Sequence, residues 1–368
     1  MKQLNKKKNI AFLYPRVSHY REEFFEYFVK HYACDIYVYE DDEENKKNNF
    51  MISHVPTKLL RSILLFSKLR VFNFFPLLNP KYEVIILIGE MKVLPVWFLL
   101  LLSKLIRKKT ILWGHGISIH AYLQEEKKIH PVRLFFNKLA DNLWLYTDKE
   151  KEIWQEYMSV DKLTVLNNTI NIEGILEQKT LDRKLLEQQY NIHHKVNLIY
   201  CARFSMQERR TDLLIEIIKT LDPDKYGFLI IGDGPLKPDF KPYQNVFDFG
   251  SVYDSKRKNE IFQLADLYIQ PGWIGLSCNE ALAYAKPVLT FKRSEEIRQC
   301  VEYAYLNDKN SYIAENLDEM LSFIISLSSE KIKRYQENSR NYADKNLRME
   351  VMIHKAQQSL DKILKGEN

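Results

Sequence analysis

Arg203 and Arg209 stand six residues apart just after an apolar run ending at Cys201. Guanidinium groups donate hydrogen bonds in a planar fork, a shape that suits diphosphate oxygens. A second apolar run, at 267–269, stops at Pro271-Gly272; a helix then opens near Ser277 and carries Glu280, and Lys286-Pro287-Val288 leads into another run. Strand, glycine loop, helix start and acid, in that order, offer backbone N–H groups to an anion and a carboxylate to ligand hydroxyls. In the first half, His115 sits within Trp113-Gly114-His115-Gly116 at the end of a strand. Its imidazole can hydrogen-bond a hydroxyl or reacting oxygens, and the flanking glycines are expected to let the backbone approach a ligand. Pro15-Arg16-Val17-Ser18-His19-Tyr20-Arg21 follows the first strand, where Arg16, His19 and Arg21 suit a phosphate-bearing ligand. Glu90, after Gly89 at another strand end, suits hydroxyls.

These residues need a scaffold that brings strand ends together. Apolar strands alternate with helical segments throughout, the pattern of parallel α/β domains. Strands are expected at 10–14, 34–39, 84–89, 110–114, 143–146 and 163–166, then at 198–202, 227–232, 246–249, 267–270 and 287–291. Helices are expected from His19 through Phe28, and at 212–220, 256–264, 277–284 and 317–327. The polar, helical stretch 171–196 marks the hand-over between domains. The expected architecture is two Rossmann-like domains facing a cleft, 1–170 and 171–345, with a C-terminal helix in 346–368 placed to pack back on the first.

The 368 residues are long for one core, and 46% apolar with 28% charged residues is an ordinary globular mix. The formal charge of +6 is unevenly placed: residues 1–180 hold 27 Lys and Arg against 21 Asp and Glu, and residues 181–368 hold 27 against 27. A solvated surface accounts for this, or a basic face toward anionic lipid or a phosphate-bearing acceptor; nucleic acid fits less well, since its binding signatures are absent. Cys34, Cys201, Cys278 and Cys300 form no C-x-x-C pair, which suits a reducing cytoplasm. Met1 to Lys8 is basic but runs straight into a strand and reads as mature protein. The apolar run 93–102, continued by Lys104, Arg107, Lys108 and Lys109, is too short to span a bilayer. It reads as a buried helix or as one leaning on a membrane, and 59–75 pairs apolar residues with Arg61, Lys68 and Arg70 in the same way.

The set Arg203…Arg209, Gly232-x-Gly234-Pro235, Phe249-Gly250-x-Val252, Ala265-Asp266, Glu280-Ala281 and Lys286-Pro287-Val288 resembles the C-terminal domain of family 4 retaining glycosyltransferases. The likeness is good over about 195–292 and weaker over the first half. It implies the GT-B fold and a nucleotide diphosphate sugar donor. By that likeness Arg203 and Arg209 bind the diphosphate, although the second position is more often Lys in the family. Gly232 and Gly234 belong to the same donor side, and Gly250, Val252 and Tyr253 bracket the base. The amides near Gly275, Leu276 and Ser277 hold phosphate, Glu280 takes the ribose hydroxyls, and His115 lies near the transferred sugar. Arg16, His19, Arg21 and Glu90 then fall on the side of a lipid-linked or oligosaccharide acceptor. No metal and no cofactor beyond the donor is implied.

One departure stands out. Eight residues before Glu280 the family places a second Glu beside the sugar, and this chain has Gly272. The Pro-Gly-x-x-Gly-Leu loop looks like a variant of polysaccharide-assembly members, in which Gly272 amides stand in or the sugar finds another contact. The expected protein is a cytoplasmic glycosyltransferase at the inner face of the cell membrane. A GT-B nucleotide-sugar 2-epimerase, or a non-catalytic nucleotide-sugar or glycolipid binder, remain the alternatives.

Overall fold

In the computed structural model of the chain, residues 7–41 and 53–366 are described, so most of the basic N-terminal segment lies outside them. The chain divides into two compact units, Met1–Asn171 with Met349–Asn368, and Ile172–Arg348.

The first unit is built on seven parallel strands: β1 Asn9–Tyr14, β2 Ala33–Val38, β3 Lys58–Leu59, β6 Val84–Ile88, β7 Lys109–Trp113, β8 Asn142–Leu145 and β9 Leu163–Val165. Their order is β3-β2-β1-β6-β7-β8-β9. The numbering gap is filled by β4 Ser62–Leu65 and β5 Leu69–Phe72, an antiparallel hairpin outside the sheet. Strands buried on both faces read as continuous apolar runs, which is why Val84-Ile-Ile-Leu-Ile88 is buried along its length. The amphipathic helix Glu22–His31 turns Phe24, Phe25 and Phe28 inward, and their rings meet Phe12 edge-on.

A helix far away in sequence completes this unit. From Met349–Lys365, Gln357 Oε1 accepts from the Tyr27 hydroxyl at 2.7 Å, Asp361 Oδ1 accepts from Tyr32 at 2.7 Å, and Ser359 Oγ accepts from the Trp144 indole at 2.9 Å.

The second unit has six parallel strands, β10 Val196–Cys201, β11 Tyr226–Ile231, β12 Val246–Asp248, β13 Leu267–Ile269, β14 Val288–Phe291 and β15 Ser311–Ala314, in the order β12-β11-β10-β13-β14-β15. This is the doubly wound order, and the first unit repeats it with β1 and β6 in the places of β10 and β13. Open α/β sheets bind ligands at the carboxyl ends of strands where the winding direction reverses. The strand order therefore puts one reversal point between the loops after β1 and β6 and another between those after β10 and β13. No described helix is long and apolar enough to cross a membrane.

Candidate functional site

In the first unit, the loops after β1, β6 and β7 surround a cavity of about 170 Å³, whose lining includes Tyr14, Arg16, Glu90, His115 and Tyr146. Three residues singled out in the sequence are thus brought together at the reversal point. Arg16 is ion-paired with Glu40. Glu90 accepts from the Tyr39 hydroxyl at 3.2 Å, and burial raises its carboxyl above the usual range. The other two fall elsewhere. His19 is exposed outside the cavity lining. Arg21 is 1% exposed and directed to the returning helix: it bonds Asn168 and Met352 Sδ and lies 5.6 Å from the Trp113 ring centre.

His115 packs edge-on against Tyr146 at 4.8 Å, and its Nδ1 is buried with no hydrogen-bond partner. Burial, with the Arg133 guanidinium adding to it, pushes the imidazole down to about 4, so the ring is neutral near pH 7. Of its glycine neighbours, Gly114 lines the cavity and Gly116 is closed in by packing. Gly114 lies against the Gly89 backbone, and a Cβ at Gly116 would come within 2.5 Å of the Trp154 indole nitrogen. That indole instead donates to the Gly116 carbonyl at 2.9 Å.

The residue that fixes this loop is Glu150. Thr147 caps the helix Asp148–Trp154 in a reciprocal capping box with Glu150. Glu150 Oε2 accepts from the Tyr146 and Thr147 amides at 3.1 Å each, while Oε1 accepts from the Gly116 amide at 2.8 Å. Burial drives this carboxyl up to about 7 against the pull of those donors. Thr147-x-x-Glu150 is a legible capping signal; its reach to Gly116 is tertiary and leaves no mark in sequence.

In the second unit, the loops after β10 and β13 are tied together at the reversal point. Arg209 Nη1 donates to the Trp273 carbonyl at 2.8 Å, and the Gly272 amide donates to the Arg209 carbonyl at 3.3 Å. A Cβ at Gly272 would overlap the Glu208 carbonyl oxygen. The position is thus filled by protein backbone, and its amide is already engaged. Beneath it lies a buried amide network: Gln270 Nε2 donates to the Trp273 carbonyl at 2.6 Å, and Gln299 Oε1 accepts from the Ile274 amide at 2.9 Å. Neither glutamine stood out in the sequence.

Arg203 is exposed and makes no ion pair among the described residues, while Arg209 Nε is buried without a partner. Glu280, on the helix Ser277–Ala283, holds Lys258 Nζ at 2.6 and 2.7 Å from its two oxygens. Burial opposes the Lys258 charge, yet Glu280 outweighs it and keeps the ammonium above its usual range. A carboxylate has about four lone-pair sites, so this pairing orients Glu280 and leaves acceptor capacity. Gly275, Leu276 and Ser277 form the turn into that helix, and a side chain at Gly275 would meet open space.

Gly232 and Gly234 have φ of 143° and 150°, and side chains there would overlap the Ala202 and Phe204 carbonyls, so they let two loops meet. Gly250, at φ 63°, gives its carbonyl to the Gly232 amide at 2.8 Å. Val252 is half-buried and Tyr253 is 87% exposed. Asp266 and Lys286 are scaffold: Asp266 accepts from Arg183 and the Asn197 amide, and Lys286 Nζ donates to the Ala265 carbonyl at 2.7 Å. Asp222-Pro223-Asp224, an Asp-x-Asp sequence, lies in the turn before β11, at the opposite strand ends. No group of three His, Cys, Asp or Glu arranged to hold a metal occurs among the described residues.

Residues 195–329 match the family model of group 1 glycosyl transferases. Over 138 residues the chain is 32% identical to an uncharacterized 41.2 kDa protein in the cps region of Klebsiella pneumoniae, a match spanning 36% of this chain and 37% of that relative. Among solved structures it is similar to a glycosyltransferase from Rickettsia africae ESF-5, with TM-score 0.66, 17% identity, and 98% and 100% of the two chains covered. Anabaena HepE in complex with UDP gives TM-score 0.67 and 14% identity, over 96% and 100%. The chain has the GT-B fold. The matched domain and this fold together support a GT-B glycosyltransferase. A Listeria monocytogenes protein assigned as a UDP-N-acetylglucosamine 2-epimerase shares the fold, with TM-score 0.61 and 11% identity over 98% of each chain.

Proposed function

We propose that this protein is a retaining, metal-independent glycosyltransferase. It moves a sugar from a nucleotide diphosphate donor to a lipid-linked or oligosaccharide acceptor in surface polysaccharide assembly, at the inner face of the cell membrane. The observation that carries this reading is the convergence of Arg203, Arg209 and the Lys258-braced Glu280 on the loops beside the β10–β13 reversal, inside the matched 195–329 domain. The binding of UDP by a protein of the same fold adds support for a nucleotide sugar.

In this reading the arginines and the start of the Ser277–Ala283 helix stabilise the charge that grows on the leaving diphosphate. The acceptor oxygen bonds to the anomeric carbon as the carbon–oxygen bond to the diphosphate breaks. The electron pair leaves with the phosphate oxygen, which takes the hydroxyl proton on the same face. No side chain is assigned as a nucleophile. Neutral His115, with its unpartnered Nδ1, can hydrogen-bond a sugar hydroxyl without adding charge.

A thermal-shift screen of nucleotide sugars tests the donor, since a true ligand raises apparent stability by mass action. Transfer with the stabilising donor then tests the reaction. The shared fold of the Listeria protein favours one rival, an epimerase; epimerisation without any acceptor would replace the transferase reading.

A further inference from the structure

Between β3 and β6 the chain leaves the parallel sheet to form the β4–β5 hairpin, with Ile63 opposite Val71 and Leu65 opposite Leu69. Ile63, Leu64 and Leu65 are all exposed, and Phe66 at the tip is 88% exposed. Successive strand residues point to opposite faces, so both faces of this ribbon carry bare apolar side chains. Phe66 and Ser67 have φ of 51° and 56°, a region that such turns fill with Gly, Asn or Asp. A bulky aromatic is held there against its backbone preference, and with no compensating contact in water.

The base of the hairpin is fixed. The Arg70 amide donates to the Lys92 carbonyl at 2.9 Å, and Arg70 Nη1 donates to Ser62 Oγ at 2.7 Å. Phe74, just after β5, stacks on Phe75 and on Phe98 of the helix Leu94–Leu105. Phe98, Leu101 and Leu105 follow at helical spacing as an exposed stripe, Leu105 at 79%.

The charge around these segments is one-sided. Residues 53–124 hold ten Lys and Arg against two carboxylates, Glu83 and Glu90; Glu83 is paired with Lys8 and Glu90 lines the cavity. Arg61, Lys68, Lys92 and Arg107 are exposed and make no ion pair among the described residues.

We propose that the β4–β5 tip and the Phe98–Leu105 stripe dock this unit on an anionic lipid bilayer, with those four bases at the headgroups. A second copy of the chain is the poorer occupant, because it would bring like-charged surfaces together. A two-stranded ribbon leaves outer backbone groups unpaired, which forbids deep entry into hydrocarbon, so the tip stops at the interface, about 5–10 Å down. This deepens the membrane part of the proposed function.

The test floats the full-length protein with phosphatidylcholine vesicles, with or without phosphatidylglycerol, at low and high salt. Salt-sensitive partition onto the anionic vesicles is expected. Ile63→Ser/Phe66→Ser should cut it roughly ten-fold or more, and Lys68→Glu/Arg107→Glu should remove the preference for phosphatidylglycerol, each with an unchanged circular dichroism spectrum. Absence of partition, partition untouched by both pairs, or a dimer in sedimentation that the serine pair dissolves would each overturn the proposal. The assay holds neither donor nor acceptor, so its failure is read separately from failure of sugar transfer.

Discussion

The carbonyl oxygen of Glu208 occupies the space into which a side chain at Gly272 would project. The two loops that meet there carry Arg209 and Trp273, joined by a 2.8 Å hydrogen bond. Position 272 therefore has no room for a carboxylate without movement of the 208–210 backbone.

An acid at position 272 should harm this protein. Gly272→Glu, and to a lesser degree Gly272→Ala, forces the 208–210 backbone away and overpacks the loop, at a cost of about 1–3 kcal/mol. Thermal unfolding should show the loss, and calorimetry with the nucleotide sugar that stabilises the native chain in the thermal-shift screen should show weaker binding in the same order. Tighter binding by Gly272→Glu would mean that the loop opens freely.

Lys258 should matter to donor binding without being a donor ligand. Removing it in Lys258→Ala frees the Glu280 carboxylate from its bidentate partner, and nucleotide affinity should fall about ten-fold, or ~1.4 kcal/mol. Lys258→Arg, which keeps the charge, should recover part of it. If Lys258→Ala binds like the native chain, Glu280 is held in place by other contacts.

Glu150 should set the position of His115. In Glu150→Gln one half of the side chain turns N–H groups toward amide donors, leaving buried groups unsatisfied at a cost of about 1–3 kcal/mol. Transfer should fall as well, with the larger change in turnover if the His115 loop acts on the reacting sugar. Stability lost with turnover intact would confine Glu150 to a structural part.

These two groups give opposite pH slopes. His115 has a folded pKa of about 4 against an ordinary 6.5, so the unfolded chain binds the extra proton and stability drops as pH falls between them. Glu150 is raised to about 7 from 4.5, so the folded chain holds the extra proton and stability drops as pH rises through that range. Over about pH 4.5 to 6.5 the two slopes oppose each other in the native chain, so in urea unfolding His115→Gln should lose stability as pH rises and Glu150→Gln should gain it, each more steeply than the native chain. Parallel curves for all three proteins would contradict both shifts.

Much of the scaffold was legible because parallel strands are buried on both faces and announce themselves as apolar runs. The expected strands from 10–14 to 287–291 all coincide with observed ones, shifted by a residue or two. β15, Ser311–Ala314, was missed because its half-polar sequence pairs only through β14. The β4–β5 hairpin was missed because its turn, Leu65-Phe66-Ser67-Lys68, carries no Gly, Asn or Asp. At the site, residue type and strand-end position single out Arg16, Glu90 and His115, which line one cavity. It could not separate them from Arg21, whose burial against Met352 depends on a helix 331 residues away. The glycines at 116, 232, 234 and 272 stand in the loops that follow apolar runs of the sequence, but the neighbours that require them are set by tertiary packing.

The return of Met349–Lys365 to the first unit sets an order of assembly on the ribosome. Tyr27, Tyr32 and Trp144 are synthesised early, yet their partners Gln357, Asp361 and Ser359 emerge only after all of Ile172–Arg348. The unit made first is therefore the one finished last. A fragment cut at Asn171 would leave the faces of β8 and Glu22–His31 that meet this helix bare, whereas Ile172–Arg348 has its whole sheet in one continuous stretch of chain.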